Sequence, residues 1–255
     1  VAWATFIAQG ISSIMSLCVL LGRLKKIETD KFNLFSVDML KKILFVAIPS
    51  ILQQSFVSVG NIFIQGLVNK FGAVVVAGFS AAGKLNTFTI TTLCALGNSM
   101  SSFTAQNVGA NKIDRIKKGV KHLYIMFYAI TLPLFVLFFF FPQNMMQIFV
   151  TSNDIEIINV GISFLKIVSP FYLFIAIKLI IDGVLRGCGK MKMFMVSTFS
   201  DLLLRVALSF AFSPIFNELG IWYSWPVGWL LATIISSILF FTGMWKKNIH
   251  NLTEN

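Results

Sequence analysis

Ser99-Met100-Ser101-Ser102-Phe103-Thr104-Ala105-Gln106-Asn107-Val108-Gly109-Ala110-Asn111-Lys112-Ile113-Asp114-Arg115, continuing to Lys121, joins two long apolar stretches. Gly109 suits the left-handed turn that ends a helix, and Asn111 tolerates the same conformation. Asp114 suits the first turn of a following helix, where its charge meets the amide end of the dipole. Arg115, Lys118 and Lys121 recur every third residue among the apolar Ile116, Val120 and Leu123. That pattern predicts a helix lying at a membrane surface with its cations level with lipid headgroups. A solvated charged loop would explain any one of these cations. The whole string Gln106-Asn107-x-Gly109-Ala110-x4-Arg115 between two hydrophobic spans is far less common by chance.

Working outward, the flanking stretches set the class. Hydrophobic residues make up 56% of the chain and charged residues 12%, and the mean hydropathy is +0.82. This excludes a soluble domain and predicts a polytopic membrane protein. Seven apolar runs are separable, at Val1–Leu21, Ile43–Val68, Val74–Phe103, Leu123–Phe141, Ile157–Leu185, Met193–Phe216 and Ile221–Met244. Each approaches or exceeds the ~20 residues that cross hydrocarbon as a helix. They are much longer than the roughly 10-residue alternating strands of a membrane barrel. The expected fold is therefore all-α, with about seven transmembrane helices. The fourth run is apolar all round and is expected to face lipid, with Pro133 as a possible kink. No basic segment precedes the first run, so it is not read as a signal peptide, and the chain is expected to be cut in mid-protein.

The formal charge of +11 does not point to nucleic acid, because the cations sit in short loops between apolar runs. Cys18, Cys94 and Cys188 are scattered and match neither a metal site nor a disulfide framework. Loops after the first, third, fifth and seventh runs hold 16 of the 21 Lys and Arg residues. These include Arg23, Lys26, Lys31, Lys42, Lys112, Lys190, Lys246 and Lys247. That side is expected to be cytoplasmic, together with the C-terminus. The longest linker, Arg23–Lys42, contains Ser36-Val37-Asp38, which reads as a capped helix start.

Polar residues within the spans are costly unless they face a partner or water. Ser50, Gln54, Ser58, Asn61 and Gln65 fall on one face of the second span. Ser80, Lys84, Thr87, Thr91, Asn98 and Ser102 form a similar stripe on the third. Each stripe is either glue between packed helices or the wall of a cavity. The pair of stripes, one containing Lys84, favours a shared aqueous cavity formed by Gln54, Ser58, Asn61, Gln65, Lys84, Thr87 and Thr91. On the fifth span Lys178, Asp182 and Arg186 are spaced by four and predict a ladder of alternating charge; Pro170 predicts a break. On the sixth, Asp201 and Arg205 are also four apart. Their pairing would either lock helices together or open and close during transport.

Several motifs resemble those of a known family. The Gln106, Asn107, Gly109, Ala110 and Arg115 string resembles the loop after the eighth helix of multidrug and toxic compound extrusion (MATE) antiporters. Leu185-Arg186-Gly187-Cys188-Gly189 resembles the motif after the tenth, and Gly220-Ile221-Trp222 with Pro226 resembles the start of the twelfth. The resemblance runs from about Val1 to Lys247 and covers the second half of a family member. It implies that residues 1–22 are the last helix of a first lobe and 23–42 a cytoplasmic inter-lobe linker. Residues 43–247 would then be the second six-helix lobe of a twelve-helix transporter, and 248–255 a cytoplasmic tail. It further implies a missing N-terminal lobe, alternating access, a plasma-membrane location and no cofactor beyond a coupling ion, H+ or Na+. No Asp or Glu lies between Asp38 and Asp114. In NorM-like members, acids on the corresponding helix and on the tenth bind the coupling cation. Gln53 and Gln54 stand near the first place here and Ile175 near the second. The sequence is thus more similar to the DinF-like or MepA-like branches, where a first-lobe carboxylate is implicated.

The function expected is secondary efflux of small amphipathic, cationic drugs or toxic compounds, with apolar faces giving tolerant contact and polar groups giving repositionable hydrogen bonds. Lys84 would be an awkward neighbour for a cation unless the missing lobe supplies a counter-charge. A lipid-linked saccharide flippase of the same superfamily is the alternative, with Lys84, Lys178 and Arg205 available for a pyrophosphate. An enzyme is disfavoured, since no zinc spacing or nucleophile elbow is present. A purely structural scaffold would not explain the polar stripes.

Overall fold

The computed structural model describes residues 2–25, 35–151 and 154–243. Lys26, Lys31, Lys246, Lys247 and the 248–255 tail lie outside the described residues. Long apolar runs, whose backbone groups must bond within the segment in lipid, form α1 (Ala2–Leu24), α2 (Val37–Val68), α3 (Ala73–Gly109), α4 (Ile113–Phe140) and the short α5 (Pro142–Gln147). They are followed by α6 (Ile155–Val168), α7 (Tyr172–Gly187), α8 (Met191–Phe216) and α9 (Glu218–Phe241). No strand is present among the described residues. Seven helical stretches are long and apolar enough to span a bilayer, α6 and α7 counting as one. This is the all-α, seven-span class expected from the sequence.

The chain divides into two compact units, Val1–Ile43 and Leu44–Asn255. In the first, the Met39 N–H donates to Ser36 Oγ at 3.4 Å, so Ser36 caps the start of α2, and Asp38 sits in the first turn. The second unit is organised by α3, which runs parallel to α6 and α7. The contact is made through small residues. A Cβ at Gly183 would stand 2.5 Å from the Gly97 carbonyl, and one at Gly187 2.5 Å from that of Ser101. Gly183-x3-Gly187 is thus the small-xxx-small surface that lets two helix backbones approach in a membrane. The α8–α9 hairpin is closed in the same way, but antiparallel. A Cβ at Gly220 would meet the Phe212 backbone at 2.4 Å, and Ser209 and Ser224 bond each other at 2.6 Å.

Several boundary expectations are corrected. The basic stretch after Ile113 is not a separate surface helix but the opening turns of α4, because nothing between Ile113 and Leu123 stops a helix. The left-handed residue of the preceding loop is Asn111, with φ 54°, rather than Gly109. Gly109 stays helical because the closing bonds run from Lys112 N–H to Asn107 O and from Asn111 N–H to Val108 O, at 2.8 and 2.9 Å. The turn after α7 repeats this closure, with Gly189 at φ 68° and Lys190 N–H donating to Leu185 O at 2.9 Å. Both family motifs are therefore the same helix-stop motif. α4 passes through Pro133 without interruption. It is not open to lipid all round, because Ile116, Phe127, Thr131 and Phe138 form a buried seam. The break at Pro170 is present as a single 3-10 turn, Ser169–Phe171, between α6 and α7.

Candidate functional site

Polar hollows lie beside α3: one of about 290 Å³ is bordered by Ser80, Lys84, Thr151 and Asp154, and two others reach across to α2. The larger, about 500 Å³, is bordered by Asn61 and Gln65 of α2 and by Ser80, Lys84, Asn86 and Thr87 of α3. Its other wall is aromatic. Phe79 stacks on Trp222 with centroids 5.0 Å apart, and Phe164 meets the edge of Trp225 at 5.7 Å. The steps of three and four on α2 and α3 thus bring four of the predicted cavity residues, Asn61, Gln65, Lys84 and Thr87, to one space. Gln65 Nε2 donates to Asn69 Oδ1 at 3.0 Å. Asn86 Oδ1 accepts from the Tyr172 hydroxyl at 2.9 Å. The Lys84 ammonium lies 5.4 Å from the centroid of the Phe149 ring and is outside salt-bridge range of every described carboxylate.

The smaller hollow, about 230 Å³, is bordered by Ser50, Gln53, Gln54, Cys94, Asn98, Lys178, Asp182 and Arg186. Gln54 therefore belongs here and not with Asn61, because α2 carries its stripe past two separate spaces. Ser58 and Thr91 border neither hollow, and the Ser58 hydroxyl is turned back to the Gln54 carbonyl at 3.1 Å.

The charged residues pair only in part as their spacing predicts. Lys178 Nζ lies 2.6 Å from Asp182 Oδ2 and 3.8 Å from Asp201 Oδ2, so one buried cation serves two acids on two helices. Ser197 donates to the other Asp182 oxygen at 2.6 Å. Asp182 takes Lys178 and Ser197 as its partners and Arg186 is not among them, so the expected ladder stops after one step. Arg186 turns to α3 instead, bonding Ser101 Oγ at 3.3 Å and the Asn98 side chain. Nor do Asp201 and Arg205 pair. Asp201 is drawn to Lys178, while the Arg205 guanidinium lies over Trp225, 4.6 Å from its centroid, where a planar cation gains stacking and cation–π attraction.

Of the motif residues, Gln106, Gly109, Ala110 and Arg115 are exposed. Asn107 is buried and its Nδ2 donates to Phe103 O at 2.8 Å, so it stabilises the end of α3. Gly187 and Gly189 supply the close approach and the left-handed turn already described. Burial pushes the Cys188 thiol up to about 11, which leaves it protonated and unreactive at neutral pH.

Sequence reasoning missed the α8–α9 interlock. Asp201 and Arg205 belong to a run Ser197, Asp201, Arg205, Ser209, Ser213 in steps of four. α9 carries the matching small residues Gly220, Ser224, Gly228, Ala232 and Ser236 at the same step. Ser197 meets Ser236, and Ser209 meets Ser224, while the Cβ position of Gly228 is 3.3 Å from Arg205 Cβ. The repeated small residues were the available signal.

The MatE family model matches residues 49–211. The chain is 25% identical over 252 residues to "Probable multidrug resistance protein YpnP" of Bacillus subtilis (strain 168), spanning 96% of this chain and 55% of that protein. It is 23% identical over 210 residues to "Probable multidrug resistance protein NorM" of Thermotoga maritima, spanning 81% and 45%. The chain spans about half the length of the curated relatives it matches. Among solved structures, it superposes on MATE in the straight conformation with a TM-score of 0.80 at 18% identity, covering all of this chain and 57% of the other. An outward-facing multidrug resistance MATE family transporter gives 0.75 at 20% identity, over 87% and 49%. These likenesses carry the fold, and the family model spans more than half of the sequence. This multi-pass membrane chain belongs to the MatE family, whose members are transporters that need no cofactor and not enzymes.

Proposed function

We propose that this chain is the C-terminal half of a multidrug efflux transporter and that its larger hollow is half of the substrate cavity. The observation that carries the reading is that hollow of about 500 Å³, amide- and hydroxyl-lined on α2 and α3 and aromatic opposite, inside a helical unit built for a bilayer. Flat amphipathic drugs or toxic compounds match it: a ring lies against Phe79, Phe164 and Trp225 while its polar edge meets exchangeable donors and acceptors. Residues 1–22 are the last helix of a first lobe, 23–42 the cytoplasmic linker, 43–247 the second lobe and 248–255 a cytoplasmic tail. The segments that follow α3 and α7, rich in Lys and Arg, face the cytoplasm, as does the C-terminus.

Transport proceeds by alternating access, driven by inward H+ or Na+. No Asp or Glu lies between Asp38 and Asp114. A carboxylate of the missing N-terminal lobe therefore carries the coupling ion, in the manner of DinF- or MepA-like members. The Lys178–Asp182–Asp201 cluster holds α7 to α8 during rocking, and Arg186 holds α7 to α3. The relatives' multidrug resistance names favour export over lipid-linked saccharide flipping.

The test is efflux by the full-length gene product in drug-sensitive cells, with Asn61→Leu and Gln65→Leu made together. Wild type is expected to lower accumulation of a fluorescent aromatic dye, and the double variant to lose most of that effect at normal membrane abundance. Unchanged efflux by the variant would return the α2 stripe to packing. No efflux by wild type across a panel of dyes would remove the export reading.

A further inference from the structure

We infer that Lys84 is the specificity-determining residue of the larger hollow and that it recognises an anionic group, such as an aromatic carboxylate, on an amphipathic ligand. The inference rests on the export reading for the identity of the cavity, and it reverses the cationic substrate class that the sequence suggests. Lys84 is the one charged residue among those bordering the larger hollow. It sits on α3 eleven residues past Ala73, well inside a 37-residue span, where an ammonium is costly unless it faces water or a counter-charge. Asp154 borders an adjoining hollow with Lys84, but no described carboxylate is within salt-bridge distance. Its contact with Phe149 is a cation–π interaction worth about 0.5–1 kcal/mol at an accessible site, weak enough to yield to an anion.

The remaining inventory points the same way. The indole N–H of Trp225, in the aromatic wall, is buried without a hydrogen-bond partner. The ammonium and this indole can only donate, whereas the other polar groups of the wall, Asn61, Ser80 and Thr87, can also accept. A ligand that completes the site must bring acceptors. An anionic oxygen pair gives Lys84 a charge-assisted hydrogen bond, and a ring attached to it reaches Phe164 and Trp225. A ligand carrying only a cation would place like charges together in a space of low dielectric.

The test uses the purified full-length protein and two dyes with the same xanthene ring. Rhodamine 110 carries a free benzoate, whereas in rhodamine 123 the same group is a methyl ester. Binding is read by fluorescence anisotropy in detergent or nanodiscs, so the result does not depend on transport. Wild type is expected to bind rhodamine 110 about tenfold more tightly than rhodamine 123, on the scale of one charged hydrogen bond. Lys84→Gln should abolish that preference by weakening rhodamine 110 alone. Lys84→Arg should keep it, and Lys84→Glu should invert it. Equal affinity of wild type for both dyes, a Lys84→Gln loss shared equally by both, or no binding of either overturns the inference. Retained rhodamine 110 preference with no cellular efflux would sink the export reading and leave the Lys84 assignment standing.

Discussion

The polar stripes of α2–α3 and of α8 have the same helical period and opposite fates. Asn61, Gln65, Ser80, Lys84 and Thr87 border an open hollow. By contrast, Ser197, Arg205, Ser209 and Ser213 of α8 are buried against α9. The difference lies in the partner. α9 presents a Gly, Ser or Ala at every fourth position from Gly220 to Ser236, so its backbone closes on α8, and Ser197 and Ser209 bond across the seam to Ser236 and Ser224. The α2 face has no such counterpart. Of its residues, only Gly60, Ile64, Leu67 and Val68 are buried. A polar stripe therefore becomes glue when a small-residue ladder faces it, and cavity wall when none does.

The sharpest way to break the comparison is at the most buried charges. Lys178→Met leaves the Asp182 and Asp201 carboxylates without their shared cation at sites only 5% and partly exposed. Removing one partner from a buried ionic group typically costs about 3–5 kcal/mol. The expected result is a large drop in the thermal unfolding midpoint of the full-length protein, followed by tryptophan fluorescence in detergent. Replacing Asp182 and Asp201 with Leu in the same variant should restore much of it, because a dry apolar cluster carries no desolvation penalty. A single variant as stable as wild type would mean that the cluster does not hold α7 to α8.

The next effect comes from backbone approach. Gly183→Val puts a branched side chain 2.5 Å from the Gly97 carbonyl and 3.0 Å from Met100 Cβ. Overpacking of this kind costs about 1–3 kcal/mol, and more where backbone is the obstacle. Reduced folded yield and a lower midpoint are expected. Wild-type behaviour would show that α3 and α7 are not held at that distance. A smaller change is expected from Ser224→Ala, which removes one hydroxyl from the α8–α9 seam. Such bonds average about 0.6 kcal/mol in membranes. The shift should be just resolvable by the same measurement, and a loss of several kcal/mol would reveal a network beyond the Ser209 partner.

How far the sequence could be read follows from the same contrast. Span number, the Pro170 break and the polar faces were legible because hydropathy and helical period are properties of one segment at a time. Of the charge pairing, only the Lys178–Asp182 step was. Lys178 to Asp201 crosses between helices, and a four-residue spacing on one helix loses to a better partner on another whenever packing brings one near. The aromatic wall of Phe79, Phe164 and Trp225 draws on three helices and has no periodic signature in any of them. The small-residue ladder of α9 and Gly183-x3-Gly187 were visible, but their meaning depended on knowing which helix they face.

The smallest effect on stability, and the most informative for the cavity, belongs to Gly83→Val. A Cβ at Gly83 meets nothing within 4 Å, although the residue borders the larger hollow on the same helix as Gly97. Valine also has the higher helix propensity, by a few tenths of a kcal/mol. The folded protein should therefore be as stable as wild type or slightly more so, in direct contrast to Gly183→Val. Its added methyl groups project into space that the export reading gives to substrate. Efflux of bulky dyes should fall while that of small ones is kept. A loss of stability would show that the α2–α3 face is occupied as closely as the α8–α9 seam, and the distinction between wall and glue would then fail at its most exposed point.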